Sequence, residues 1–115
     1  MDPQTFRDGV LGGRESVKGL RVIASDGRAG RVSWATYKPG ESYLVVTTGL
    51  LRREHRVLPA GAVTRVGDAE VHVALSCTEI SQLPLLPHPQ APLEDEHVEQ
   101  MLNAVERAAA YTIRT

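Results

Sequence analysis

This chain has little of what usually marks an enzyme, an exported protein or a nucleic-acid binder. Of 115 residues, one is cysteine, Cys77. An intrachain disulfide is therefore impossible, and a cysteine-based zinc centre lacks its ligands. Aromatic residues make up only 4% of the chain, so Val, Leu, Ile and Ala must fill any core. The formal net charge is −1, which gives no global attraction to nucleic acid or anionic lipid. No stretch approaches the roughly 20 apolar residues of a membrane span. The start, MDPQTFRDGV, lacks the basic residues and apolar run of a secretory signal. The expectation is a soluble, cytoplasmic protein without membrane insertion.

What is present is an ordinary globular composition, 42% hydrophobic and 23% charged. That is too apolar for a disordered chain and enough for one modest core. Charge is uneven along the chain. Residues 1–83 hold eleven Lys/Arg against nine Asp/Glu, and residues 84–115 hold two against five. The reversal sets off an acidic tail segment.

Residues 1–18 carry turn pairs, Asp8-Gly9 and Gly12-Gly13, and read as a partly disordered arm, with Phe6, Val10 and Leu11 available to dock. A strand pattern starts after Gly19. Leu20 to Ala24 is followed by the turn Ser25-Asp26-Gly27. In residues 29–37, Val32, Trp34 and Thr36 alternate with Arg31, Ser33 and Ala35, the period of a half-buried strand. Tyr43 to Thr48 is β-branched and strand-like. Two further strands are expected over residues 54–58 and 71–75, with an irregular segment at Pro59 to Val63 between them. Ser76 or Thr78 can cap a single helical turn. Four prolines within residues 84–92 then favour an extended connector. From Glu94 to about Thr112, Val98, Met101, Leu102, Val105, Ala109 and Thr112 recur at helical spacing. Glu94, Asp95 and Glu96 begin this helix, where negative charge suits its dipole. An isolated helix of this length is marginal in water, so its stripe must pack on its own sheet or on another subunit.

Short strands at close spacing with turns between them indicate a small β-barrel or sandwich, all-β at its core. The order and spacing of several segments resemble the PRC-barrel domain family, whose members include the photosynthetic reaction centre H subunit and a ribosome-maturation factor. The segments are Val22-Ile23-Ala24-Ser25-Asp26-Gly27, Ala29-Gly30-Arg31-Val32, Ser42-Tyr43-Leu44-Val45-Val46-Thr47-Thr48-Gly49 and Arg56-Val57-Leu58-Pro59-Ala60-Gly61-Ala62-Val63. Small free-standing bacterial members are the nearest in pattern. The resemblance covers residues 19–84, about three fifths of the chain. It implies an SH3-like antiparallel barrel of five or six strands, closed or nearly so. Residues 85–93 would be the connector and 94–113 the tail helix, both outside the resemblance. It implies no catalytic residues and no cofactor, and a role in assembly or protein–protein interaction.

The chemistry-bearing residues agree with that expectation. His55, His72, His88 and His97 have no ligand spacing for a metal. Cys77 has no base beside it in sequence, and no serine sits in a Gly-x-Ser-x-Gly elbow. The loop Leu50-Leu51-Arg52-Arg53-Glu54-His55-Arg56 departs from the family pattern. Leu50, Leu51, Arg52, Arg53 and Arg56 are therefore the barrel-side candidates for partner contact. Val98, Met101, Leu102, Val105 and Ala109 are the helix-side candidates. The expected partners are a second copy, as a homodimer, and another protein. The three arginines match the acidic head Glu94-Asp95-Glu96 in charge, within one chain or between two. Nucleic acid is an unfavoured partner. An RNA-associated role would need a contiguous basic face at Arg52, Arg53, Arg56 and Arg65, and a photosynthetic-complex or small-ligand accessory would need an apolar cavity near Trp34.

Overall fold

A computed structural model describes residues 2–49 and 51–114, with side chains through residue 108. Leu50 and the side chain of Ala109 lie outside the described residues. Seven strands form one sheet: β1 (Arg21–Ala24), β2 (Gly27–Ala35), β3 (Tyr43–Thr48), β4 (Glu54–Pro59), β5 (Val63–Val66), β6 (Glu70–Val73) and β7 (Leu85–Leu86). A 3-10 turn, Ala60–Ala62, joins β4 to β5; α1 spans Cys77–Ile80 and α2 spans Asp95–Arg114. The spatial order is β5-β6-β1-β2-β3-β4-β7.

The 3-10 turn dictates the shape. β4 and β5 stand five places apart in the strand order, about 24 Å in a flat sheet. Yet Pro59 and Val63 are four residues apart and can be separated by at most about 14 Å. The sheet therefore curls until its far strands meet at that end. Inside the curl lies the larger core, which includes Val17, Val22, Val32, Leu44, Val46, Leu58, Val63, Val71 and Ile80.

Three features of the expected barrel are corrected. There are seven strands, because Val63–Val66 and Leu85–Leu86 also pair. The sheet is mixed, since β1 and β6 run parallel. The reversal through the 3-10 turn and β5 brings β6 alongside β1 in the same direction. The sheet is also open, with β5 and β7 as its edges among the described residues. Curling brings the ends together, but no ladder joins them. The two leucines of β7 suit an edge, since the prolines around them cannot supply a full ladder.

A bulge between Val32 and Trp34 splits β2 between the two faces. Val32 pairs with Val46 and Trp34 with Val45, leaving Ser33 as the extra residue. Val32 thus enters the inner core, while Trp34 turns to the outer face. There Val45, Val57, Leu86, Ala91 and Met101 form a second apolar cluster with Trp34, Tyr43, Leu93 and Leu102 packed against it. Strict alternation would have placed Val32 and Trp34 together. Tyr37 stacks on Phe6 at 5.6 Å and its hydroxyl accepts from the Val17 amide at 2.9 Å.

The arm packs along the sheet through Phe6, Val10 and Leu11. Its backbone bonds to the core strands, Ser42 N to Gln4 O at 2.8 Å and Gly61 N to Pro3 O at 2.8 Å. A Cβ on Gly61 would lie 2.9 Å from Pro3, so the absence of a side chain admits the arm. Ser76 caps α1 with a reciprocal capping box: its hydroxyl accepts from Glu79 N, and Glu79 accepts from Ser76 N.

Helix α2 lays its stripe on its own chain. Met101 is fully buried in the outer cluster, Leu102 packs beside it, and Val105 packs against the larger core. Ala104 and Ala108 complete the buried face. Val98 is half-buried. The apolar face that the sequence offered to a second subunit is thus covered within one chain. Met101→Ala should lower unfolding stability by about 2–5 kcal/mol in urea titration. An unchanged midpoint would mean that the helix does not rest on this sheet.

Candidate functional site

The outer face of β2, β3 and β4 changes character along its length. Toward Tyr43 and Pro59 it is apolar and lies under α2 and the connector. Toward Gly49 it is polar and uncovered. Arg31 stands opposite Thr47, and Thr47 opposite His55, in one rung across three strands. With the turn before β4 and Pro89 of the connector, these strands enclose an open groove of about 670 Å³. Its polar side chains are Arg28, Arg31, Arg53, Ser33, Thr47 and His55.

Two glycines set the groove's walls. A Cβ on Gly30 would lie 2.2 Å from the Thr47 carbonyl oxygen, so β2 and β3 can approach here only without a side chain. Gly49, at φ 89°, turns back so tightly that a Cβ would meet the Arg52 carbonyl oxygen. That turn brings Arg53 to the rim.

The groove is basic and carries no carboxylate in its lining. Among the described residues, Arg28, Arg31 and Arg53 form no ion pair. Arg31 donates one N–H to the Gly19 carbonyl at 3.0 Å. Beneath the arginines runs a chain of hydrogen bonds. The Ser33 hydroxyl donates to the Val45 carbonyl at 3.2 Å, Thr47 donates to Ser33 Oγ at 2.8 Å, and His55 Nδ1 lies 2.9 Å from Thr47 Oγ1.

The basic cluster of the sequence divides at this point. Arg53 and His55 face the groove. Arg56 falls on the opposite parity with Leu58 and points to the inner side. It donates to the Leu83 carbonyl at 2.7 Å and pairs with Glu54 at 3.2 Å. Its buried Nε has no partner. Arg56 is a strut rather than a free contact. Arg52 and Leu51 are exposed on the turn, Leu51 completely. Arg65 is on β5, beside His72 Nε2 at 2.8 Å. With Arg56 turned to the inner side, Arg52, Arg53, Arg56 and Arg65 do not form one contiguous face.

Within one chain, the arginines also fail to meet the acidic helix head. Among the described residues no ion pair reaches Glu94, Asp95 or Glu96. All three are exposed, and Glu96 accepts from Gln100 Nε2 at 3.3 Å. Arg28 and Arg31 were absent from the sequence-level candidates. For Arg31 the alternation with the core residue Val32 was the available signal; Arg28 has the parity of Val32, and a register shift between Arg28 and Gly30 sets it apart.

Elsewhere the reactive groups are restrained. Asp26 accepts from the Cys77 amide at 2.9 Å, which holds its carboxyl below the usual range. Desolvation, and then the neighbouring Asp26, push the Cys77 thiol up, which opposes the nucleophilic thiolate. No group of three His, Cys, Asp or Glu residues gathers to hold a metal among the described residues. Trp34 does not line the groove; Lys18 Nζ sits over its ring at 5.6 Å.

No family model and no curated protein matches the chain.

Two outcomes follow from this geometry. Gly30→Ala should force β2 from β3 and destabilise the fold by about 3 kcal/mol or more in chemical denaturation; a neutral effect would contradict the close approach. For Asp26, the lowered folded pKa means a stabilising contribution that is present above the unfolded carboxylate value, about 3.9, and is lost as pH falls through the folded one. Asp26→Asn should therefore flatten the fall of the melting temperature with acid. An identical acid limb in both proteins would contradict it.

Proposed function

We propose that this chain is a non-enzymatic docking module of the PRC-barrel kind, and that it forms a homodimer in which each basic groove receives the acidic helix head of the other copy. The observation that carries this reading is a groove lined by three arginines without carboxylate partners, close in the chain to an exposed acidic segment that does not enter it. Pro89 lines the groove and α2 begins at Asp95, six residues and at most about 20 Å away. Two complementary patches this close on one surface pair reciprocally across a twofold axis passing between them.

Magnitudes set the character of the contact. An exposed ion pair contributes about 0.2–1 kcal/mol. Six such pairs across a twofold axis give a few kcal/mol, which corresponds to a weak, salt-sensitive dimer rather than an obligate one. Leu51, fully exposed on the turn before β4, can add apolar area. Acidic segments of other proteins would use the same groove. RNA is the competing occupant, because arginines also hold phosphates. Among the described residues no aromatic side chain lines the groove to stack a base, and the net charge of −1 opposes a polyanion.

Light scattering tests the reading. The mass should rise above 12.5 kDa with concentration at low salt and return to it at about 0.5 M salt, where exposed charges are screened. The variant Arg28→Glu/Arg31→Glu/Arg53→Glu should be monomeric, and so should Glu94→Lys/Asp95→Lys/Glu96→Lys. Mixing the two should restore a dimer. A wild-type monomer at every concentration sinks the dimer. Binding of a single-stranded RNA at physiological salt, lost in the arginine variant, would replace this reading with the nucleic-acid one.

A further inference from the structure

The chain of hydrogen bonds below the arginines carries a definite proton assignment once the Ser33 hydroxyl is directed at Val45 O, which can only accept. Ser33 Oγ must then accept from Thr47, which uses the one Thr47 proton. Thr47 Oγ1 is left as an acceptor, and His55 Nδ1, 2.9 Å away, must donate to it. Neutral His55 is thereby held as the Nδ1–H tautomer. Its remaining ring nitrogen, Nε2, carries a lone pair in a side chain that lines the groove.

That arrangement has a consequence for any anion. A carboxylate cannot accept a hydrogen bond from a lone pair. With a proton from solvent on Nε2, the same ring becomes a charged donor at the same place, with its Nδ1 bond to Thr47 intact. We propose that His55 couples anion binding in the groove to uptake of one proton, so that acidic ligands dock more tightly at lower pH. The proposal rests on the groove as the receiver of an acidic segment. The charged groups that face His55 are Arg28 and Arg31 from β2 and Arg53 from the turn before β4. β3 contributes Thr47, β7 stands opposite as Leu86, and the connector contributes Pro89. Glu54, the nearest acid in sequence, is turned away to Arg56. The incoming carboxylate is thus the negative charge that favours the proton. Thr47 acts as a positioning residue, because its acceptor oxygen selects the tautomer.

Hexaglutamate is a suitable probe, since its side chains remain ionised from about pH 6 to pH 8 and it has no histidine of its own. Calorimetric titration of the full chain in two buffers of different ionisation enthalpy reads proton uptake directly. Binding should be several-fold tighter at about pH 6 than at about pH 8, with net uptake near neutral pH. His55→Gln, checked for fold by circular dichroism, should bind without uptake and with equal affinity at both pH values. Thr47→Val should release the tautomer, let the neutral ring donate from Nε2, and shrink the pH dependence by strengthening binding at the higher pH. Nitrogen chemical shifts of the His55 ring should report Nδ1–H in the wild-type chain and its loss in Thr47→Val. Binding of equal strength at both pH values without proton uptake would overturn the coupling and leave the docking reading intact. No binding at either pH would overturn both. An Nε2–H tautomer in the wild-type chain would overturn the proton assignment on which the coupling depends.

Discussion

The short link Ala60–Ala62 is the constraint on which the structure depends. It ties strands five places apart in the sheet and so requires the sheet to curl. Curling creates an inside, which the aliphatic residues fill, and an outside, which a second layer must cover. The scarcity of aromatics makes this division important. Valine and alanine cores need close approach to fill space, and Gly30 and Gly61 mark two places where backbones come too near for a side chain. The amphipathic tail helix follows from the same need. Val45 and Val57 are fully buried although they face away from the inside of the curled sheet, and Met101 and the connector residue Ala91 share their cluster.

The bulge at Ser33 links this packing to the candidate site. It reverses the parity of β2 partway along, so Val32 serves the inside and Trp34 the outside. The residue left over, Ser33, brings its hydroxyl to the Val45 carbonyl and to Thr47. One extra residue therefore both moves the tryptophan under the outer layer and starts the hydrogen-bond chain that ends at His55. Beyond it, the polar rung Arg31, Thr47 and His55 is too hydrophilic for the helix to cover, and it stays open as the groove.

Much of the fold was legible in local chemistry. Asp26-Gly27 marked the first turn, alternation marked β2, a β-branched run marked β3, and the period of Val98, Met101, Leu102 and Val105 marked α2. What was not legible depended on nonlocal pairing. The parallel contact of β1 with β6 joins residues nearly fifty apart in sequence, and no local pattern encodes it. β7 is two residues among prolines, stabilised only because β4 offers a free edge. The bulge defeated a simple alternation argument because it shows only in the pairing of β2 with β3. For the site, contiguity in sequence was misleading. Arg52, Arg53 and Arg56 read as one cluster, yet strand parity sends Arg53 with His55 to one face and Arg56 with Leu58 to the other. The burial expected of Leu58 already contained that distinction.

The same parity argument explains why the chain leaves its own opposite charges apart. Among the described residues Arg56 alone of the cluster finds a carboxylate, and it does so with its near neighbour Glu54, on the inner side. The outward arginines would need Glu94, Asp95 or Glu96. Those residues follow a connector held against the sheet by β7 and by buried Ala91, whose amide bonds to the His88 carbonyl at 3.1 Å. Three prolines within residues 87–92 restrict that connector further. The helix is then fixed by Met101, which places its stripe on the apolar half of the outer face and its acidic start outside the groove. Folding back to neutralise the arginines would require giving up the burial of Met101, a loss of about 2–5 kcal/mol by analogy with its truncation, for surface ion pairs of about 0.2–1 kcal/mol each. Hydrophobic packing wins that comparison, and the unneutralised arginines remain available for an acidic segment from outside the chain.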